Sequence, residues 1–178
     1  CQQHDINVFR RCSGGASIVT GPGCLMYAVL LDYRRRESLR ILENAHRYVM
    51  GQLKQAIGKV GIDVQLQGTS DLTHNDRKFS GNSLRCKKNW LIYHGTVLCD
   101  FDLTLISKCL GKPVRQPDYR RGRSHAEFLT TLPTDTGTLK TAIINQWQAN
   151  EPLTHWPESL TQQLLEQKYL TDEWNFKR

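Results

Sequence analysis

The sequence RKFSGNSLRCKKNWLIYHGTVLC, residues 77–99, indicates the type of fold. Residues 77–86 have the pattern of an extended segment with a glycine in the middle, and residues 90–99 form a second, more apolar one. A short polar turn, KKN at 87–89, joins them, and strands linked by so short a turn pair in antiparallel fashion. We therefore expect a sheet built on an antiparallel hairpin at this place.

Further strands are predicted on the N-terminal side of this hairpin. The apolar run from Cys24 to Leu31 is strand-sized, and IDVQLQ (62–67) is another candidate. INVFRR (6–11) is predicted to be a strand that enters a glycine turn and continues extended through SIVT (17–20). With GPG (21–23) as a turn into Cys24–Leu31, the region is predicted to form a hairpin with Arg10–Ser17 at a bend.

Helices are predicted between and after these strands. Apolar residues recur at helical spacing from Glu37 to about Ile57, and glycines at 58 and 61 mark the end of this helix. Shorter helices are expected at about 102–110, 124–131, 137–149 and 158–168. Hairpins interleaved with helices favour an α+β (α/β) fold, with a mixed, mainly antiparallel sheet and helices packed against it.

The composition limits the class of protein. A chain of 178 residues is long enough for one domain with a real core, and its formal net charge of +7 favours an acidic partner. No apolar run reaches the roughly 18 residues that a membrane helix needs, so we expect no membrane partner. The six cysteines are widely spaced without a C-x-x-C pair, which argues against structural zinc, and we expect reduced thiols in a cytoplasmic protein.

Two stretches suggest contact with an anion. In RRCSGGAS (10–17) two guanidinium groups precede glycines whose N–H groups a ligand can approach, and Lys78 lies on a predicted strand. In both cases a solvated surface side chain remains the alternative. A third basic stretch, DYRRGRSH (118–125), allows phosphate or nucleic-acid binding. It lacks the interleaved aromatic residues of a base-stacking surface, so we do not expect nucleic acid as the partner.

Three segments, in this order, resemble the lipoate–protein ligase family. They are RRCSGGAS, then GTSDL (68–72) followed by DRKFSGNSLR (76–85), then HGTVLCDFDL (94–103). The family has the motif RR-x-SGGGA, then an N-D pair followed by a lysine with SG and a more distant arginine, and then an HGT strand. EWNF (173–176) resembles the end of the family's catalytic domain, so the resemblance covers nearly the whole chain.

The resemblance implies a fold and a reaction. The fold is that of biotin and lipoate protein ligases, which is distantly similar to class II aminoacyl-tRNA synthetases. With ATP and magnesium as cofactors, lipoate would be activated as lipoyl-AMP with release of pyrophosphate. The lipoyl group would then pass to a lysine of an acidic lipoyl domain of a 2-oxoacid dehydrogenase, or of the H protein of glycine cleavage.

The resemblance also implies a role for each matching residue. Lys78 and Arg85 match the family's lysine and the arginine beyond it and are the predicted catalytic residues, while Asp71 matches an acidic residue near magnesium and the phosphates. The other matching positions are expected to bind substrate or adenylate: Arg10, Arg11, Ser13, Gly14, Gly15, Ala16, His94 and Gly95.

The match departs from the family at three positions. Ala16 replaces the third glycine of the first motif, Cys24 stands where the family usually has an adenine-contacting asparagine, and Ser70 replaces the asparagine of the N-D pair. Two alternatives therefore stay open: an octanoyl or lipoyl transferase of the same fold that uses no ATP, and a non-catalytic lipoate-binding paralogue. Residues 1–178 are expected to form a single catalytic domain that lacks an N-terminal segment of the family.

Overall fold

The computed structural model describes residue 1, residues 6–111, residue 113 and residues 115–177. The chain divides into two compact units, of which one runs from Gly14 to Asn150 and the other combines Cys1–Ser13 with Glu151–Arg178. The larger unit contains the sheet and its helices. A single domain over residues 1–178 stays a prediction.

The sheet of the larger unit has five strands in the order β1-β5-β4-β3-β2, and all neighbouring strands are antiparallel. The strands are β1 (Cys24–Asp32), β2 (Gln65–Gln67), β3 (Asp71–His74), β4 (Arg77–Cys86) and β5 (Trp90–Leu98). The hairpin predicted from residues 77–99 is confirmed as the pair β4 and β5, with Asn82 opposite Gly95.

The helices confirm the mixed class. The larger unit contains α1 (Leu42–Lys59), α2 (Thr104–Cys109), α3 (His125–Phe128) and α4 (Thr136–Trp147). The long predicted helix is confirmed as α1, except that Glu37–Arg40 form a separate 3₁₀ turn before it. One stripe of α1 is buried among core side chains of the sheet and α4: Ala45, Val49, Met50, Leu53, Ala56 and Ile57. The smaller unit contains α5 (Glu158–Leu164), a π-helical turn (Leu165–Tyr169) and α6 (Asp172–Asn175).

The predicted strand at 6–11 is wrong, and so is the hairpin with its bend at Arg10–Ser17. Residues 6–11 and 17–20 contain no strand, and β1 pairs along its whole length with β5. The backbone N–H of Arg10 donates at 2.8 Å to Oδ1 of Asn175, a partner 165 residues away. A pattern within a short window cannot reveal such a partner, which explains the error.

Two further observations concern the lengths of the helices and the state of the cysteines. Within the described ranges, none of the helices is both long enough and apolar enough to cross a membrane. All six cysteines are described, and each is a free thiol. This geometry agrees with the predicted reduced thiols, and their redox state stays a prediction.

Candidate functional site

The two faces of the sheet have different surroundings. One face packs against α1, and Tyr93 of β5 is fully buried there. Because successive side chains of a strand alternate, His94 points to the opposite side, which we call the second face. Ser83 of β4 is paired with His94, and Arg85 follows two positions later. The second face therefore carries Ser83, Arg85 and His94.

A β-bulge in β4 brings Lys78 onto the second face as well. The register of β3 against β4 shifts between Leu72 and Thr73, and Phe79 is the extra residue of β4 at this point. The bulge changes the alternation, so that Lys78 and Gly81 share a face in spite of their odd spacing. A Cβ built on Gly81 would lie 3.1 Å from both Cε and Nζ of Lys78.

Lys78 is paired with a carboxylate that a phenol also contacts. Its Nζ lies 2.7 Å from Oδ1 of Asp71, and the hydroxyl of Tyr119 donates to Oδ2 of Asp71 at 2.7 Å. The Lys78 and Asp71 side chains are 26% and 14% exposed. Burial, together with the Asp71 carboxylate, raises the pKa of Tyr119 well above its ordinary value, so the phenol stays a proton donor. A cation held in this way can stabilise negative charge that develops on a bound carbonyl or phosphate.

The segment that carries Tyr119 is fixed by its own contacts. The ring of Tyr119 lies 5.2 Å from that of Phe128, and Gly68, with φ at +57°, passes close to its edge. Arg123 donates to the carbonyl oxygens of Tyr119 at 2.8 Å and of Asp76 at 2.9 Å. The sequence analysis assigned no role to this tyrosine.

The basic stretch DYRRGRSH is largely structural. Arg120 is only 3% exposed, its guanidinium carbon lies 4.8 Å from the ring centroid of Phe128, and its Nε donates to the carbonyl of Arg123 at 2.9 Å. Burial lowers the pKa of Arg120. Arg121, in contrast, is exposed. Two of the three guanidinium groups thus serve contacts within the fold, which argues against a nucleic-acid surface here.

A protein side chain closely approaches Gly95. A Cβ built on Gly95 would lie 1.7 Å from Oδ1 of Asn82, on the face that packs against α1. The hydroxyl of Tyr27 donates to the same oxygen, and Nδ2 of Asn82 donates to the carbonyl of Ser70 at 2.8 Å. Sequence reasoning did not identify Asn82 as this group, because the register that places it opposite Gly95 comes from the structure.

Ser70, where the family has asparagine, takes part in the same network. Its Oγ donates to the carbonyl oxygen of Asn82 at 2.9 Å. The two residues therefore exchange hydrogen bonds in both directions and tie the turn before β3 to β4. This contact gives Ser70 a structural task at the position where the family's asparagine would stand.

The glycines of the first motif reach the second face. The hydroxyl of Ser83 donates to the carbonyl oxygen of Gly14 at 3.0 Å. Gly15 has φ at +102°, a conformation that favours glycine. Ala16 is not among the residues with positive φ, so the replacement of the family's third glycine causes no backbone strain.

The double arginine and Ser13 belong to the smaller unit. The Nε of Arg10 donates to the carbonyl of Trp174 at 2.8 Å, and Nε1 of Trp174 donates to the carbonyl of Arg10 at 2.8 Å. Burial lowers the pKa of Arg11. The ligand-binding roles of Arg10, Arg11 and Ser13 stay predictions.

The two predicted catalytic residues lie at opposite ends of β4. Lys78 is the second residue of the strand and Arg85 the last but one. Allowing for the bulge, six strand positions at about 3.3 Å each separate their Cα atoms by roughly 20 Å. His94 lies on the second face opposite Ser83, between the two. A ligand that contacts both Lys78 and Arg85 must therefore be elongated.

The described residues do not fit a magnesium site on the protein alone. Within the described residues, no three acidic, histidine or cysteine side chains lie close enough to share a metal ion. Both oxygens of Asp71 already accept hydrogen bonds, and a cation there would meet the ammonium of Lys78. The predicted magnesium role of Asp71 stays a prediction that these contacts do not support.

Cys24, at the predicted adenine position, is a protected thiol. It begins β1 and packs beside the apolar cluster that contains Leu98 and Phe101. Burial raises the pKa of the Cys24 thiol, and burial also raises the pKa of Cys99 to about 11. Both thiols therefore stay protonated near neutral pH and are poor nucleophiles.

Comparison with known proteins identifies a family. A model described as the lipoyl protein ligase A/B catalytic domain matches residues 1–142. The probable lipoate-protein ligase A of Mycoplasma pneumoniae is 26% identical over 185 residues, which cover 98% of this chain and 53% of that protein. The chain thus spans about half the length of this curated relative.

Solved structures share the fold. The bi-partite lipoate protein ligase of Thermoplasma acidophilum, analysed with its E2 lipoyl domain, superposes with a TM-score of 0.82 at 20% identity, covering 98% of this chain and 72% of that one. A Thermoplasma acidophilum structure with bound lipoic acid gives 0.79 at 18%, covering 99% and 74%. A lipoate-protein ligase A bound with ATP gives 0.75 at 21%, covering 98% and 73%. At these identities the likeness shows the fold.

Other curated relatives have different activities. The octanoyltransferase LipM of Geobacillus kaustophilus is 21% identical and covers 99% of this chain and 76% of that protein. The inactive lipoate–protein ligase 2 of Plasmodium falciparum is 20% identical and covers 74% and 42%. The fold alone therefore does not distinguish ligase, transferase and inactive paralogue.

Proposed function

This chain belongs to the lipoyl protein ligase A/B catalytic domain family, and we propose that it is an ATP-dependent lipoate–protein ligase. A carboxylate oxygen of lipoate attacks the α-phosphorus of ATP, and the bond from that phosphorus to pyrophosphate breaks. The amine of an acceptor lysine then attacks the lipoyl carbonyl carbon. The amide forms, AMP leaves with the electron pair of the broken C–O bond, and the amine loses a proton.

The observation that carries this proposal is the ammonium of Lys78, paired with Asp71 at 2.7 Å on the second face. Both half-reactions place negative charge on phosphate and carbonyl oxygens, and a cation whose position is already set stabilises that charge without reorganising. One hydrogen of the ammonium points to Asp71, and the other two are left for ligand oxygens. The ammonium of Lys78 is thus suited to bind the adenylate through both its carbonyl oxygen and its phosphate oxygens.

Two further groups on the second face suit an elongated ligand. The backbone around Gly14 and Gly15 lies beside Ser83 and offers a chain without bulky side chains. Arg85 lies roughly 20 Å from Lys78 along the strand. An acyl-adenylate is long enough to extend from the lysine toward the arginine, whereas one phosphate group is not.

The proposed substrates are suggested by solved structures of the same fold. One neighbour of the same fold holds ATP, another holds lipoic acid, and a third is analysed with its E2 lipoyl domain. The net charge of +7 suits an acidic acceptor, and both a lipoyl domain and an H protein are candidates. Asp71 serves in this proposal as the partner of Lys78 and not as a magnesium ligand. A cytoplasmic location belongs to the proposal as well, and the six free thiols fit a reducing compartment.

A transferase that uses no ATP is the second candidate. The match with an octanoyltransferase favours it, as do the departures at Cys24 and Ser70. A thiol-dependent version is opposed by the raised pKa of Cys24 and by the absence of cysteine in residues 68–77. A lipoate-binding paralogue without chemistry is the third, and the match with an inactive ligase keeps it open.

The test is lipoate-dependent formation of an adenylate. The full-length protein is incubated with ATP, magnesium and lipoic acid, and lipoyl-AMP and pyrophosphate are measured by mass spectrometry and by an enzyme-coupled assay. We expect both products from the native protein and a loss of at least 100-fold with Lys78→Ala. A folded protein that binds lipoate but forms no adenylate, while accepting octanoyl from a carrier protein, would establish the transferase instead.

A further inference from the structure

Asp71 has a fixed donor on each carboxylate oxygen. The ammonium of Lys78 lies 2.7 Å from Oδ1, and the hydroxyl of Tyr119 lies 2.7 Å from Oδ2. We propose that Tyr119 is a positioning residue, which orients Asp71 so that Asp71 holds the ammonium of Lys78 in its working place. The inference rests on the proposed function, because it names the residue that aligns the predicted catalytic lysine.

The position of the Lys78 ammonium depends on this alignment because Asp71 is the charged partner that the structure places beside it. A lysine side chain is long and has many rotamers, so fixing its ammonium in one place costs conformational entropy. The side chain of Lys78 lies over Gly81, which has no Cβ. A Cβ built on Gly81 would lie 3.1 Å from Nζ of Lys78. Gly81 therefore gives Lys78 room but no lateral support. Asp71 supplies the lateral support, and a preset position lowers the barrier of the reaction.

Tyr119 can orient Asp71 because Tyr119 is itself held at several points. Its ring packs on Phe128 with centroids 5.2 Å apart, and its backbone carbonyl accepts a hydrogen bond from Arg123 at 2.8 Å. Burial raises the pKa of Tyr119, so its hydroxyl remains a donor throughout the neutral range. Phenylalanine in its place would keep the ring contacts and lose only the bond to Asp71.

The first experiment measures the exposure of Lys78 without any enzymatic reaction. The full-length native protein, Tyr119→Phe, Asp71→Asn and the double variant are treated with trace acetic anhydride, and acetylation of Lys78 is quantified by peptide mass spectrometry relative to the exposed Lys54. Without the phenol, the carboxylate has an unsatisfied oxygen in a site where it is 14% exposed, so it turns toward water and releases the lysine.

We expect the acetylation of Lys78 to rise at least threefold in both Tyr119→Phe and Asp71→Asn, with no further rise in the double variant. Because Tyr119 acts through Asp71, its loss has no effect once the carboxylate is gone. Native acetylation in Tyr119→Phe, or effects that multiply in the double variant, would overturn the inference. Tyr48→Phe is the matched control: Tyr48 lies on α1, which packs against the other face of the sheet, and its ring contacts Trp147, so we expect no change.

The second experiment measures lipoyl-AMP formation with the same variants. We expect Tyr119→Phe to lower kcat by about tenfold, which is the loss of one hydrogen bond to a charged group, and to change KM for ATP and lipoate less than twofold. In the Asp71→Asn background the same substitution should have less than a twofold effect. Unchanged kcat in Tyr119→Phe, or a change confined to KM, would show that the phenol has only a structural role.

The two experiments separate the inference from the proposed function. If the native protein forms no lipoyl-AMP, the proposed function fails, and the acetylation pattern still decides whether Tyr119 holds Asp71 and Lys78 together. If the native protein is active and Tyr119→Phe is equally active, the ligase assignment stands and the inference fails. Circular dichroism of each variant confirms that it is folded.

Discussion

His46 of α1 and Tyr93 of β5 share a hydrogen bond of 2.8 Å between Nδ1 and the phenol oxygen, with their rings edge to face at 5.4 Å. Burial lowers the pKa of His46 below its ordinary value. The unfolded chain therefore takes up a proton at a higher pH than the native protein does. The contribution of His46 to the free energy of unfolding is therefore fully present above its unfolded pKa of about 6.5 and decreases as the pH falls through that value.

We accordingly expect the free energy of unfolding to decrease between pH 7.5 and pH 5.5, and we expect His46→Gln to make the decrease smaller. Urea denaturation at several pH values, followed by the fluorescence of tryptophan, measures both slopes. The carboxylates with lowered pKa, such as Asp32 at about 2, change protonation only at lower pH and do not interfere. An equal slope in native protein and variant would contradict the assignment to His46.

The separation of Lys78 and Arg85 along β4 leads to a prediction about their energetic coupling. Residues more than about 10 Å apart that share no partner have additive effects, within roughly 0.5 kcal/mol or about twofold in rate. We expect Lys78→Ala and Arg85→Ala each to lower kcat/KM for lipoyl-AMP formation, and the double variant to lose the product of the two factors. If the double variant is no worse than Lys78→Ala, the two residues act on one group.

The sequence predicted the fold where its signals were local. The hairpin of β4 and β5, the helix α1 and the α+β class all follow from periodicity and a short turn within a few residues. The strand at 6–11 failed, because the partner of that segment lies at the other end of the chain. The four-residue strand β3 (Asp71–His74) was missed, because its polar sequence DLTH has no apolar alternation.

The candidate site, like the fold, was predicted from the sequence only in part. The resemblance to the ligase motifs identified Lys78 and Asp71, and the structure places them in contact. Spacing gave no information on Tyr119, which reaches Asp71 from a segment 48 residues away. Nor could it reveal the bulge at Phe79, without which the lysine would face the other side of the sheet. Contacts across the sheet depend on the register of the strands, and this register, unlike periodicity, cannot be read from the amino-acid sequence.

Two adjacent arginines give a test of the structural role of DYRRGRSH. Arg120 is 3% exposed and stacks on Phe128, whereas Arg121 is exposed. We expect Arg120→Ala to lower the free energy of unfolding by about 2 kcal/mol, because it removes a desolvated stacking contact and a hydrogen bond, and Arg121→Ala to change it by less than about 0.5 kcal/mol. Urea denaturation compares them directly. Equal effects would mean that Arg120 is not a structural residue.

Gly95 gives the last prediction, because the side chain of Asn82 occupies the place of a Cβ there, 1.7 Å from its Oδ1. Gly95→Ala must push this side chain away from Tyr27 and Ser70, and we expect a loss of about 2–3 kcal/mol of stability. Gly51→Ala is the matched control. Gly51 lies within α1 with nothing within 4 Å of a built Cβ, so alanine should stabilise the protein by up to about 1 kcal/mol.

Gly95→Ala can also be tested in a protein that lacks the Asn82 side chain. In the Asn82→Ala background the clash disappears, and we expect Gly95→Ala to cost less than about 0.5 kcal/mol there, so the two substitutions should be strongly non-additive. Thermal denaturation of the four proteins of this cycle gives the coupling. A full loss of stability in the Asn82→Ala background would show that the glycine is required by something other than Asn82, such as a ligand or the carbonyl of Gly81, which a Cβ would approach to 3.0 Å.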